Sequence, residues 1–329
     1  MPELSYALDR ERLALVRDGA AVVVTEPAII RIEGGGALQC LQGILTNDLA
    51  KPGDHSLIYG ALLTPKGMIV VDCWVARTPD GFLMIVPATA RETTLELLRR
   101  QLPPRLARAT DLTGQMQAAW LVGGSGFQAL VKAGLGPLPE AAGRVTTIDT
   151  VRGRLVVALG TEPAPFSALV VGASEAIAPA IETLHGAGAR DGDACLLEAA
   201  RILAGWPALG AEIDERTLPQ EVRYDEIGGV SYTKGCYTGQ ETVARLHFRG
   251  HTNRELRGLV WTGSDPIEGR AITQGTREVG TVRSVLALED RVIGLAPLRR
   301  EVAIGDLVDA GGRPATVVAL PFAGADLEA

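Results

Sequence analysis

Val230-Ser231-Tyr232-Thr233-Lys234-Gly235-Cys236-Tyr237-Thr238-Gly239-Gln240-Glu241 is where unusual residues crowd most densely in this chain of 329 residues. Val230 to Tyr232 reads as the end of a strand. Lys234 and Cys236 stand two apart, so an extended backbone would project both side chains from one face. An ammonium beside a thiol favours the thiolate, the form in which cysteine is nucleophilic, metal-ligating or redox-active. Gly235 and Gly239 permit positive φ and close approach of a ligand or a second backbone, while Gln240 and Glu241 add an amide and a carboxylate suited to a flat heterocycle. A plainer reading stands beside this one: the glycines serve a strand-to-turn connection, Cys236 is a small buried hydrophobe and Lys234 is solvated.

Immediately downstream, Ala244, Leu246 and Phe248 alternate with Arg245, His247 and Arg249. The spacing predicts a half-buried strand whose polar face offers guanidinium forks to a phosphate or a carboxylate tail, although a solvated strand face has the same spacing. His247 and His251 lack a third ligand, so no metal site is expected there.

Around this centre the chain reads as alternating α+β. Residues 20–33 form one strand-like run, 34–49 a turn and short helix, and 56–63, 68–76 and 82–87 three further strands before a helix over 88–102. The theme repeats with strands at 118–122, 154–158 and 167–171 and helices at 127–133 and 175–185. Asp191-Gly192-Asp193 then caps a helix through Leu196, Leu197 and Ile202. Beyond Gly250 short β-branched runs between Gly and Asp turns predict a small barrel, and the tail after Pro321 is expected to fray. The division is therefore 1–250, two interleaved α+β subdomains, and 251–329, a β-barrel.

Charged residues make up 22% of the chain and the formal net charge is −7, so the overall field repels nucleic acid and no direct contact with it is expected. No apolar run approaches the roughly 20 residues of a bilayer span, which places the protein in the cytoplasm and off the membrane. Cys40, Cys73, Cys195 and Cys236 show no C-x-x-C spacing, so any cysteine chemistry rests on single thiols.

The run Thr233 to Glu241 resembles the K-G-C-Y-x-G-Q-E signature of YgfZ-type proteins and their mitochondrial Iba-type relatives. Leu218-Pro219-Gln220-Glu221, Gly229-Val230-Ser231, Val243-Ala244-Arg245 and Phe248-Arg249-Gly250 match its surroundings. Leu41-Gln42-Gly43-Ile44-Leu45-Thr46-Asn47-Asp48 resembles an element shared with the glycine-cleavage T-protein, a folate-dependent aminomethyltransferase. The resemblance implies a ring of three domains, two ferredoxin-like α+β units and a terminal β-barrel, with tetrahydrofolate or a related folate in the central channel. It also implies a role in assembling or repairing iron–sulfur clusters in client enzymes, including those that thiomethylate tRNA. Carried onto this sequence, it makes Cys236 the functional thiol with Lys234 beside it. The folate contacts would come from Gln42, Thr46, Asn47, Asp48, Asp72, Tyr237, Gly239, Gln240, Glu241 and Arg245. The partners implied are folate and iron–sulfur client or assembly proteins.

Two departures bear on the chemistry. T-proteins carry tandem acids after an N-x-x-G segment, whereas here Thr64-Pro65-Lys66-Gly67 leads to Val71-Asp72. The family's R-x-E-A-G reads Arg201-Ile202-Leu203-Ala204-Gly205, and Leu203 cannot accept pterin N–H groups, so either Asp72, Glu198 or Glu241 compensates or folate binds weakly or differently. An accessory folate-binding protein is therefore the first expectation. A folate-dependent aminomethyltransferase or demethylase, with Asp72 as its carboxylate, is the alternative.

Overall fold

The computed structural model describes residues 5–327. The chain first threads all three units and then completes them. Strand β1 (Ser5–Ala7) and helix α1 (Arg10–Arg17) lead into β2 (Ala21–Thr25) and β3 (Ala28–Glu33), which enter different sheets. The single strand expected over 20–33 is thus broken at Glu26-Pro27, where proline offers no N–H to continue a ladder.

Helix α2 (Ala37–Gln42), strands β4 (Ser56–Leu63), β5 (Ile69–Thr78) and β6 (Gly81–Val86), helix α3 (Arg91–Gln101) and β7 (Arg108–Asp111) complete the first ferredoxin-like unit, with strand order β4-β5-β6-β3-β7. Then follow β8 (Met116–Val122), α4 (Gly126–Ala133), β9 (Val145–Thr150), β10 (Gly153–Leu159), β11 (Ala168–Ala173), α5 (Ser174–Gly186), β12 (Arg190–Asp191) and α6 (Ala194–Leu203). They build the second unit, ordered β12-β2-β8-β11-β10-β9. Strand β9 is absent from the sequence reading because Thr146, Thr147, Asp149 and Thr150 dilute its apolar pattern at a sheet edge. Helix α6 is capped as expected, Asp193 accepting from Leu196 N–H at 3.0 Å.

The two sheets face one another. Along β5, Val71, Cys73 and Val75 pack outward with Leu41 and Leu98 from α2 and α3, whereas Trp74 and Ala76 join a shared inner core with Ala118, Trp120 and Val122 of β8. This period of two turns Asp72 inward as well.

Helix α7 (Gln240–Arg249) follows, and the third unit comprises β13 (Arg254–Thr262), β14 (Ala271–Gln274), β15 (Arg277–Thr281), β16 (Ser284–Ala287), β17 (Arg291–Arg299), β18 (Leu307–Ala310) and β19 (Arg313–Val318). Strands β17-β13-β19-β18-β14-β15 close on themselves through the β15–β17 pairing into a barrel of six strands, with β16 and β1 added alongside β17. The fold is α+β, two ferredoxin-like sheets and a closed barrel.

Two further expectations are corrected. Residues 240–249 are helical: only Val243 is fully buried, Phe248 is 68% exposed, and Glu241 in the first turn with His247 and Arg249 in the last suit the helix dipole. The alternation at 244–249 was too short to distinguish a strand. The tail does not fray as a whole, since Gly324–Leu327 is helical and Leu327 is buried, while residues 328–329 lie outside the described residues. Among the described residues, no helix is long and apolar enough to cross a membrane.

Candidate functional site

Residues 231–239 form an irregular loop, so the strand that would have aligned Lys234 with Cys236 is not present. The loop's backbone is instead committed to the turn after α2. Ser231 N–H donates to Thr46 O at 3.1 Å and Thr238 N–H to Gly43 O at 3.0 Å.

Side chains complete the lock. Lys234 is buried, and its Nζ donates to Leu45 O at 2.8 Å and Asn47 O at 2.7 Å. It also lies 5.3 Å from the centre of the Tyr237 ring. Burial pulls its pKa down to about 8, with the Asp48 charge opposing. Thr46, fully buried, donates to Gly229 O at 2.6 Å and accepts from Ala61 N–H at 2.9 Å. Asn47 Nδ2 donates to Gly228 O and Tyr59 O. Gln42 Nε2 donates to Asp48 Oδ1 at 2.8 Å. Burial works against the Asp48 carboxylate, yet the N–H groups of Lys51 and Ala50, the Gln42 amide and Lys234 hold its pKa below the ordinary value.

The Lys234 ammonium is therefore spent on carbonyls, and Cys236 is exposed. Gly239 meets its expected requirement: φ is +82°, and a Cβ there would sit 2.5 Å from Thr64 O. Gly235 meets none, with open space around it and no positive φ. Tyr237 is buried, and burial pushes its phenol up to about 12. Gln240, Glu241 and Arg245 stand on α7, where Glu241 and Arg245 are exposed. His247 stacks on Tyr232 with ring centres 3.6 Å apart, and its Nδ1 lies 3.3 Å from Asp225 Oδ2.

A cavity of about 340 Å³ opens between the two sheets, lined by Asp72, Trp74, Trp120, Phe166, Arg201 and Trp206 among others. Of the predicted folate contacts, Asp72 alone lines it. Trp74 and Trp206 stack at 5.4 Å and 15°, and Phe166 meets both Trp74 and Trp120 edge-on. Asp72 Oδ2 accepts from Tyr59 O–H at 3.1 Å, while Oδ1 is buried without a partner. Burial raises its pKa to about 6, opposed by the Tyr59 hydrogen bond and by Arg201. Tyr59 O–H also lies 3.2 Å from that of Tyr224, and burial first, then the Asp72 charge, raises its pKa.

Arg201 forms the charged wall. Its Nη1 donates to Glu212 Oε2 at 2.9 Å and to Trp206 O, its Nη2 to Ser284 Oγ, and its Nε to Glu198 Oε2 at 2.8 Å. Burial opposes the guanidinium charge, but Glu212 and Glu198 hold it firmly protonated.

The two sequence departures acquire a geometric meaning. Val71 belongs to the outer core and points away from the cavity. Leu203 lines a neighbouring cleft with Phe322 rather than the cavity, whereas Glu198 does line the cavity and Glu241 does not. The aromatic walls are what the sequence reading missed. The available signal was scarcity, since three of the chain's four tryptophans converge on one cavity.

Residues 4–135 match the family described as the GCVT N-terminal domain. The tRNA-modifying protein YgfZ of Cronobacter sakazakii (strain ATCC BAA-894) is 28% identical over 311 residues, covering 90% of each chain. The tRNA-modifying protein YgfZ of Escherichia coli O157:H7 (strain EC4115 / EHEC) is 30% identical over 272 residues, covering 80% of each. Among solved structures, the glycine cleavage system aminomethyltransferase T from Bartonella henselae matches with a TM-score of 0.80 at 18% identity, covering 95% of this chain and 89% of that one. That last likeness is one of fold.

Proposed function

Because the chain belongs to the YgfZ family, we propose that it is a cytoplasmic tetrahydrofolate-binding accessory protein. In this reading it supports assembly or repair of iron–sulfur clusters in client enzymes, tRNA-thiomethylating enzymes among them, with Cys236 as its working thiol. The observation that carries the folate half is Asp72 Oδ1, buried and unpaired at the wall of an aromatic cavity. A buried acceptor without a donor is costly, so it calls for a ligand that donates.

A pterin fits: it is flat, which suits the tryptophan walls, and it carries adjacent N–H donors that a carboxylate can accept. Asp72 would hold those donors, Trp74, Trp120, Trp206 and Phe166 would flank the ring, and the Arg201–Glu198 pair would close the polar side. When bound, the folate supplies one-carbon carrier chemistry. The thiol half is supported by exposure, since Cys236 is open to a partner protein while Cys73 is buried and burial raises its pKa. Lys234 positions the thiol's loop by tethering it to Leu45 and Asn47.

Calorimetric titration with tetrahydrofolate tests the first half, with saturable binding expected for the wild type and for Cys236→Ser alike. Absence of saturable binding at millimolar ligand would end the folate reading. In a complementation strain, Cys236→Ser is expected to lose support for iron–sulfur enzymes, and full rescue by that variant would end the thiol reading.

One observation favours a second reading, a folate-dependent aminomethyltransferase or demethylase. Asp72, with its pKa raised to about 6, is suited to holding or deprotonating a reacting amine near neutral pH. Formation of methylene-folate from an N-methyl or aminomethyl donor would select it.

A further inference from the structure

A second concave site lies away from the tryptophan cavity. The loop carrying Asp214 and Glu221 faces one end of the barrel across a cleft of about 960 Å³. Arg254 opens β13 and stands directly opposite Arg299 at the end of β17, and Arg300 follows. Like charges directly opposed across two strands destabilise the pair. None of these three arginines has an ion-pair partner among the described residues. Asp214 does not relieve them fully, because it is engaged by Arg283 at 3.2 Å and by Thr217 Oγ1 at 2.9 Å. Arg283 itself keeps a buried Nε with no partner. Glu301 is taken by Arg277 at 2.9 Å, and Glu212 by Arg201 and Ser284.

A chain of net charge −7 thus concentrates unpaired guanidiniums in one concavity, where the field is focused. Guanidinium forks match phosphate oxygens in geometry and charge. No tryptophan, tyrosine or phenylalanine lines the cleft and His251 brings a single imidazole, so there is no extended stacking platform for successive bases. A long polynucleotide leaving it would also meet the field of an acidic protein. A compact anion escapes that penalty.

We propose that this cleft is a second ligand site that takes a compact polyphosphate anion, whether an inorganic oligophosphate or the phosphate chain of a nucleotide, held by Arg254, Arg299 and Arg300 with Arg283 at its inner wall. The site is independent of folate binding and stands or falls without it.

The test is calorimetry on the full chain at ~0.15 M salt with sodium tripolyphosphate and with ATP, alongside RNA oligomers of increasing length. Saturable binding of tripolyphosphate or ATP with Kd below ~1 mM is expected. Equal affinities would assign recognition to the phosphates alone, and tighter ATP binding would add a nucleoside contact. Arg299→Gln should weaken binding at least tenfold, whereas Arg105→Gln, outside the cleft, should not. In ligand-free protein, Arg299→Gln should leave Tm unchanged or raise it by relieving the repulsion, which separates lost binding from lost folding. Absence of saturation by ~10 mM, binding that survives Arg299→Gln with Arg300→Gln, or affinity that grows with RNA length would each overturn the proposal.

Discussion

Replacing Asp72 by asparagine separates the cost of the buried carboxylate from its use. In the folded chain burial raises this carboxyl from 3.8 to about 6, a shift of roughly two pH units at about 1.4 kcal/mol each. Below pH 4 the group is protonated in folded and unfolded chains, and there is no penalty. Between 4 and 6 the unfolded chain ionises first, so stability falls as pH rises through this window. Above 6 both states are ionised and the folded state carries the whole cost, about 3 kcal/mol. Asparagine never ionises, and its carbonyl can still accept from Tyr59 O–H. Asp72→Asn should therefore be more stable than the wild type at pH 8 by up to about 3 kcal/mol, with the gap narrowing by roughly 1 kcal/mol at pH 5. Urea unfolding followed by tryptophan fluorescence reads this directly. The same variant should bind tetrahydrofolate at least tenfold more weakly, because a neutral amide replaces a charge-assisted acceptor. A variant less stable at pH 8, or a gap that does not change with pH, would refute the assignment of Asp72 as an ionised, unpaired wall of the cavity.

Thr46→Val should cost about 2–4 kcal/mol in urea unfolding, since it orphans Gly229 O and Ala61 N–H, while Thr46→Ser should stay close to wild type. Gly239→Ala should lower Tm clearly, because its Cβ meets Thr64 O at a φ of +82°; an unchanged Tm would mean that the 64–67 turn yields. Arg201→Met should cost about 3–5 kcal/mol by leaving Glu212 buried and unpaired, and adding Glu212→Gln should recover part of that loss in a double-mutant cycle. Cys236→Ser should fall within about 0.5 kcal/mol of the wild type, as expected for an exposed side chain.

What could be read in advance followed from local periodicity. The strands over 56–63, 69–78 and 81–86 are almost uniformly buried, so they announce themselves as apolar runs, and Asp193 caps α6 where a capping residue was expected. The misreadings share a cause. The split at Pro27 and the helix at 240–249 depend on which unit each segment docks against, which short windows do not record. The same holds for the site. Gln42 to Asp48 and Lys234 to Gly239 declared themselves as dense motifs, yet the cavity walls come from β5, β8, the segment around Phe166, α6 and the turn after it. Each contributes one or two aromatic or charged residues that are unremarkable in their own stretch.

The geometry also bears on how the two halves of the proposed function relate. Reactions between groups require their atoms within about 3–3.5 Å, but Cys236 does not line the cavity that holds Asp72. What joins the two is structural. The cysteine loop is pinned by Lys234, Thr46 and Asn47, Asn47 is bonded to the backbone of Tyr59, and the Tyr59 hydroxyl is bonded to Asp72. Tyr59 thus sits in the motif's hydrogen-bond network and directly behind the cavity wall, bonded to Asp72 and packed on Trp74 and Trp206. This is the arrangement expected of a protein whose folate and thiol act on different partners, where occupancy of the cavity would be felt by the loop through a rigid strand and not by direct transfer. A transferase would gain nothing from an exposed cysteine outside its cavity, whereas an accessory protein that must meet client enzymes needs its thiol on the surface.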